Sequence, residues 1–149
     1  MRIRAVALLI QNETIAVMER YRGGRHYFTF PGGGVDEGEP VEQAVVREVE
    51  EELGIQIRVT QHVATVWFNG NRQEYFLVEQ TGGTFGTGTG VEFTAGYDET
   101  HGTYHPMWMP IRELLANPVM PEEVALMVVK FHQKGWPRST VTIREAQKK

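Results

Sequence analysis

The stretch that decides the fold runs from Gly33 to Ile55 and reads GGVDEGEPVEQAVVREVEEELGI. Apolar residues recur in its second half every four positions, which is the period of one helix face: Val41, Val45, Val49 and Leu53. Pro40 suits the first helical position, because the amide hydrogen that proline lacks is not needed there. Gly54 follows the last apolar residue and suits a C-terminal cap. The pattern predicts one helix that begins near Pro40 and ends at Leu53.

Four glutamates lie within five positions of this helix. At about 100° per residue, Glu48, Glu51 and Glu52 share an arc of roughly 100°, whereas Glu50 points away from that arc. Like charges at neighbouring positions repel each other, and Arg47 can neutralise only part of them. A hard divalent cation such as Mg²⁺ or Mn²⁺ would balance the charge through oxygen ligands. The charge run alone favours another interpretation, a solvated helix face.

The spacing of these residues resembles the Nudix box, Gly-x5-Glu-x7-Arg-Glu-U-x-Glu-Glu-x-Gly-U, in which U is an aliphatic residue. Gly33 opens the pattern, Glu39 follows after five residues, and the run from Arg47 to Ile55 completes it. Every fixed position is filled. The chain is therefore identified as similar to the Nudix, or MutT-like, hydrolases on a segment that covers 23 of its 149 residues.

The resemblance implies an α/β fold, an α/β/α sandwich with a mixed central sheet, formed by residues 1–149 as one domain. It also implies Mg²⁺- or Mn²⁺-dependent hydrolysis of a diphosphate linkage in a nucleoside diphosphate derivative. Glu48, Glu51 and Glu52 would bind the metal, with the carbonyl of Gly33 as a further ligand. Arg47 would orient the glutamates. Which glutamate is the base, and how many metal ions bind, stays open.

The composition is that of an ordinary globular domain, with 41% hydrophobic and 23% charged residues. A net charge of −4 does not predict a nucleic-acid-binding protein. The absence of cysteine excludes disulfides, thiolate metal sites and cysteine nucleophiles, and it fits a cytoplasmic location. We see no signal peptide and no apolar run of membrane-spanning length.

A basic segment precedes the glycine run 32–34, which we expect to form a turn. Residues 20–26, RYRGGRH, predict a loop with Gly23 and Gly24 at its tip. Arg20 and Arg25 are the candidates to contact the phosphate oxygens of a substrate. An ordinary solvated loop explains the same residues, and the sequence does not choose between these alternatives.

The remaining elements follow from apolar periodicity and turn residues. We expect strands at 2–10, 14–19, 27–30, 72–80 and 104–111, one or two strands at 55–68, a helical turn at 112–116, and a short edge strand at 138–143. A second helix should start at Pro121 and stop at Gly135.

The irregular stretch 82–103 is rich in glycine and threonine and predicts a long loop, a common place for binding residues. Nudix enzymes often draw one more carboxylate from a loop that follows the box. Glu92 is the first candidate for that catalytic role and Glu99 the second. An ordinary polar loop is the alternative.

Substrate identity is the least determined feature of the sequence. The default is an ordinary or oxidised nucleoside triphosphate, a small-molecule partner, with no membrane involved. The alternative is a catalytically silent Nudix-like domain that binds a nucleotide as a sensor. The complete glutamate set favours the enzyme, because degenerate members tend to lose it. The oligomeric state stays open, a homodimer included.

Overall fold

The computed structural model describes residues 2–88 and 102–144. Its strands are β1 (Ile3–Gln11), β2 (Thr14–Arg22), β3 (Arg25–Thr29), β4 (Gly32–Gly34), β5 (Ile55–Phe68), β6 (Asn71–Gly83), β7 (Thr103–Pro110), β8 (Val119–Met120) and β9 (Val141–Arg144). Its helices are α1 (Val41–Leu53), a 3₁₀ helix (Ile111–Ala116) and α2 (Glu122–Lys134).

The strands form one mixed sheet in the order β8-β3-β2-β1-β6-β5-β9, with β4 beside β1 and β7 beside β2. The pairs β1–β6, β3–β8 and β5–β9 are parallel, and the other pairs are antiparallel. β1 and β2 pair only near their turn, at Ile10–Ile15 and Gln11–Thr14. Closer to its start, β1 pairs with β4 instead. The glycine run is thereby fixed to the edge of β1.

The sheet separates two apolar layers, because successive side chains of a strand point to opposite faces. Val6 and Leu8 of β1 belong to the layer that contains α2. Ala5, Ala7 and Leu9 belong to the layer that contains α1. The predicted α/β sandwich with helices on both faces of a mixed sheet is therefore confirmed.

The predicted central helix is confirmed as α1, and Gly54 is its C-terminal cap. Gly54 adopts a left-handed conformation with φ +77°, and its N–H donates to the carbonyl of Glu50 at 2.9 Å. Pro40, expected as the first helical residue, is instead the N-cap, with extended backbone at φ −62° and ψ 142°. The helix therefore begins one residue later, at Val41.

The predicted loop at 20–26 is wrong. β2 continues to Arg22 and β3 begins at Arg25, so that only Gly23 and Gly24 form the turn. Both glycines have positive φ, +56° and +77°, which a two-residue hairpin of this kind requires. Arg20 is consequently a strand residue and not a loop residue.

Two further elements differ from the expectation. The glycine run 32–34, expected as a turn, is strand β4, and the two-residue strand β8 was not predicted. β6 extends three residues further than expected, to Gly83, and the predicted edge strand is β9 at Val141–Arg144. Glu92 and Glu99 lie outside the described residues. Among the described residues, no helix is both long and apolar enough to cross a membrane.

Candidate active site

The backbone of β4 lies directly against the glutamate face of α1. A Cβ atom added to Gly33 would fall 2.3 Å from the carboxylate carbon of Glu48, closer than any real contact. A Cβ atom on Gly32 would fall 2.3 Å from the carbonyl oxygen of Ala5 on β1. Glycine is therefore required here by close approach, because a side chain would displace either the carboxylate or the strand.

Arg47 connects the carboxylates of the site. Its Nε and Nη2 donate to the two oxygens of Glu39, each at 2.9 Å, in the bidentate geometry that a guanidinium favours. Its Nη1 donates to Glu48 at 2.9 Å and to Glu51 at 3.3 Å. Its Nη2 also donates to the carbonyl oxygen of Gly34 at 3.1 Å. One side chain thus ties the glutamates of α1 to the segment that precedes the helix.

Glu39 is held in its ionised form. Hydrogen bonds from Arg47, and then from the backbone N–H of Asp36 at 3.1 Å, lower the pKa of Glu39 to about 2. In return, the hydrogen bonds to Glu39 raise the pKa of Arg47 above its ordinary value. The pair is therefore charged at every physiological pH, and it fixes the loop between β4 and α1.

Burial and a neighbouring positive charge shift the pKa of Glu48 in opposite directions. Burial raises the pKa of this carboxyl above its ordinary value, and the positive charge of Arg47 partly opposes that rise. The side chain is only 16% exposed. A partly desolvated carboxylate beside a glycine backbone is a group that a cation would stabilise.

Glu52 is buried, with 7% of the residue exposed, and its Oε1 accepts a hydrogen bond from the N–H of Gly32 at 3.0 Å. Glu51 is about half exposed. Glu50 points to a different side of α1, where its carboxylate accepts a hydrogen bond from the side chain of Gln56 at 2.9 Å. The predicted separation of Glu50 from the other three glutamates is therefore confirmed.

The donor set fits a hard divalent cation in its chemistry. Several carboxylates and a glycine backbone surround the guanidinium of Arg47, and all of the available ligand atoms are oxygens. Within residues 2–88 and 102–144, however, no three acidic or histidine side chains converge as a formed metal-ligand group. Glu48 and Glu51 share Nη1 of Arg47, while Glu52 is turned towards Gly32. For all three glutamates to bind one cation, their side chains would have to rotate.

The two predicted phosphate contacts occupy different environments. Arg20 is 8% exposed, its Nε donates to the carbonyl of Thr103 at 3.2 Å, and its guanidinium lies 3.5 Å from the ring centre of Tyr104. Arg25 is exposed at the start of β3, and its guanidinium lies 5.4 Å from the ring centre of Tyr27. Arg20 is also 5.6 Å from that ring. Both guanidinium groups therefore lie near the ring of Tyr27.

Sequence reasoning missed two residues of the site. The guanidinium of Arg4 on β1 is 3.4 Å from the carbonyl oxygen of Gly32, and the carboxylate of Asp36 is 3.5 Å from Nη2 of Arg47. Alternation of Arg4 with apolar neighbours indicated a strand and nothing more. The pairing of β1 with β4 brings Arg4 to the site. That pairing cannot be predicted from the residues next to Arg4 in the sequence.

A model of the NUDIX domain family matches residues 1–128 of this chain. The chain belongs to the Nudix family. Among known proteins it is similar to the RNA pyrophosphohydrolase of Shewanella piezotolerans, with 43% identity over 60 residues, which cover 40% of this chain and 35% of that protein. The RNA pyrophosphohydrolase of Shewanella sp. strain ANA-3 shares 26% identity over 167 aligned positions, which cover 93% and 92% of the two chains.

Solved structures show the same Nudix fold. An ADP-ribose pyrophosphatase from Streptococcus suis superposes with a TM-score of 0.67 at 16% identity, over 97% of this chain and 98% of that one. At this identity the likeness establishes the fold alone. The segment matched in the Shewanella piezotolerans protein is about a third of that relative's length.

Proposed function

We propose that this Nudix protein hydrolyses a diphosphate linkage in a nucleoside diphosphate derivative, with Mg²⁺ or Mn²⁺ held by Glu48, Glu51, Glu52 and the carbonyl of Gly33. The observation that carries the proposal is the position of the Glu48 carboxylate, which lies against Gly33 and is bound to Arg47. Family membership supports the reaction class, since relatives of the chain are named pyrophosphohydrolases.

The chain's own residues position and charge the reaction site. Arg47 and Glu39 hold the start of α1 against β4, so that the helix face that carries the glutamates stays beside the glycine backbone. Glu52, which is buried beside Gly32, anchors one end of the carboxylate face. The bound divalent ion would supply charge neutralisation for the diphosphate oxygens and a more acidic water. An ionised glutamate would then accept the proton that the attacking water loses.

We further propose that Arg20 and Arg25 contact the substrate near Tyr27, and that Glu92 supplies an additional carboxylate. The guanidinium groups favour anionic oxygens, and the ring of Tyr27 offers a surface for a base. The substrate classes to compare are nucleoside triphosphates, including oxidised ones, and RNA that carries a 5′-triphosphate. RNA enters the comparison because the relatives are named RNA pyrophosphohydrolases.

The test is detection of the released nucleoside monophosphate, pyrophosphate or phosphate from a substrate panel, with Mg²⁺ and with EDTA. The panel holds nucleoside triphosphates, 8-oxo-dGTP, ADP-ribose, dinucleoside polyphosphates and a 5′-triphosphorylated oligoribonucleotide. Glu52→Gln is the test variant, and Glu50→Gln is its matched control, because Glu50 lies on a different side of the same helix. Turnover that requires metal, persists in Glu50→Gln and disappears in Glu52→Gln is expected.

Two results would overturn the proposal. Turnover that continues in EDTA or in Glu52→Gln would mean that the glutamate face does not carry the reaction. Binding of nucleotides without turnover on any member of the panel would favour the catalytically silent sensor domain instead.

A further inference from the structure

A turn formed by residues 84–88 packs against the C-terminal end of α1. The N–H of Gly86 donates to the carbonyl oxygen of Leu53 at 2.8 Å, and the N–H of Thr87 approaches the same oxygen at 3.3 Å. The last carbonyl groups of an α-helix have no partner within the helix. In this protein the segment that follows β6 supplies a partner for one of them.

The contact reaches the part of α1 that carries two of the proposed metal ligands. A Cβ atom added to Gly88 would lie 2.5 Å from the carbonyl oxygens of both Glu51 and Glu52, closer than real Cβ contacts. The backbone of the 84–88 turn therefore lies directly against the last turn of the helix. The 84–88 turn is itself closed by Thr87, whose hydroxyl donates to the carbonyl of Thr84 at 2.6 Å.

Phe85 attaches this turn to the sheet. Its ring stacks on that of Trp108 in β7, with centroids 4.7 Å apart and planes 29° from parallel. Both rings are partly buried against the apolar layer that contains α1. β7 is paired with β2 along its whole length, so Trp108 is held by the strand pairs of the sheet. Phe85 thus connects the end of α1 with the sheet through the 84–88 turn.

We propose that Phe85 is a positioning residue for the glutamate face of α1. Stacked on Trp108, it holds the 84–88 turn against the helix. The last helical turn, which carries Glu51 and Glu52, thereby stays closed, whereas a helix end that nothing holds opens at little cost in free energy. Metal binding needs its ligands in defined places, so a loosened last turn lowers metal affinity. The link to metal rests on the proposed function, and the effect on the helix does not.

A second aromatic pair supplies a matched control. Phe131 of α2 lies beside Trp136, with ring centroids 5.5 Å apart. Both rings are partly buried against the apolar layer on the opposite face of the sheet from α1. Phe131→Ala therefore removes a contact of the same kind without touching the glutamate face. Phe85→Tyr is the conservative variant, because it keeps an aromatic ring against Trp108.

The first measurement is hydrogen–deuterium exchange in EDTA, which excludes any effect of metal. In Phe85→Ala the amides of residues 51–54 should exchange about three- to tenfold faster than in the parent, because the lost aromatic pair no longer opposes local opening. In Phe131→Ala and in Phe85→Tyr these amides should keep the parent rate. If Phe85→Ala does not fold, Phe85→Leu, which keeps an apolar side chain and loses the stacking, takes its place. Unchanged exchange in the variant without the ring, or equal acceleration in Phe131→Ala, would overturn the proposal.

The second measurement is titration with Mn²⁺, read by the loss of the free-ion electron paramagnetic resonance signal. Phe85→Ala should bind Mn²⁺ about tenfold more weakly than the parent. Phe131→Ala and Phe85→Tyr should bind it as the parent does. Faster exchange at residues 51–54 with unchanged Mn²⁺ affinity would overturn the positioning role. If the parent binds no Mn²⁺, the proposed metal site fails, while the exchange measurement still decides whether Phe85 holds the helix end.

Discussion

Arg47 and Glu39 form a bidentate ion pair eight residues apart in the chain, with both N–O distances at 2.9 Å. The same guanidinium binds Glu48 and the carbonyl of Gly34. The segment before α1 and the carboxylates on α1 are therefore positioned by one side chain. The arrangement makes the arginine a positioning residue, whose loss should disturb the site more than the fold.

Arg47→Lys should reduce metal affinity and turnover by about 10- to 100-fold, as is typical when a metal-ligating side chain loses its hydrogen-bond partner. Lysine keeps the charge, but it has one nitrogen and cannot serve Glu39, Glu48 and Gly34 together. The comparison variant is Arg58→Lys, because Arg58 pairs with Glu79 at an exposed position. Steady-state kinetics on both variants check the prediction, and equal activity in Arg47→Lys would contradict it.

Glu39 should make folding stability depend on acid pH. Its pKa in the folded protein, about 2, lies below the ordinary value of 4.5, so ionised Glu39 favours the folded state. This contribution is complete above about pH 4.5, and it is lost as the pH falls from there through 2. Urea unfolding of the parent and of Glu39→Gln should therefore differ most at neutral pH and converge in acid. A constant difference from pH 2 to pH 7 would show that the carboxylate charge is not responsible.

Gly33→Ala should weaken metal binding at least about tenfold while the protein stays folded. The added Cβ would lie 2.3 Å from the Glu48 carboxylate, and the flexible glutamate would move away. Gly34→Ala is the neighbouring control, because a Cβ there meets nothing closer than 3.5 Å. Metal titration of both variants by calorimetry is the check. A loss as large in Gly34→Ala would remove the steric explanation.

Gly54→Ala should destabilise the protein more than Gly70→Ala. Both glycines have positive φ, +77° and +74°, so each alanine costs about 1–2 kcal/mol for its left-handed conformation. A Cβ on Gly54 would also clash with Thr87, with its nearest atom 2.2 Å away, whereas Gly70 has nothing within 4 Å. Free energies of unfolding from urea titrations measure the difference. Equal losses would mean that the contact with Thr87 yields without cost.

The sequence predicts the local part of this architecture well. The period of Val41, Val45 and Val49 and the cap at Gly54 determine α1, since both are properties of neighbouring residues. The same helical geometry separates Glu50 from Glu48, Glu51 and Glu52. These features depend only on residues that lie within a few helical turns of each other in the sequence.

Features that depend on distant pairing were missed. The run 32–34 forms β4 because β1 offers a partner, and its glycines allow an approach that any other residue would prevent. Arg20 is a strand residue because Gly23 and Gly24 complete a tight turn, which shortens the expected loop to two residues. The partnership of Arg47 with Gly34, like the approach of Arg4 to Gly32, follows from how β1, β4 and α1 meet.

The glutamates beside Gly33 are proposed to bind a divalent cation. The most direct measurement is titration with Mn²⁺, followed by the loss of the free-ion electron paramagnetic resonance signal. We expect Mn²⁺ to bind the parent and Glu50→Gln, and to bind Glu48→Gln and Glu52→Gln much more weakly. Binding in Glu48→Gln and Glu52→Gln as tight as in the parent, or its loss in Glu50→Gln alone, would contradict it.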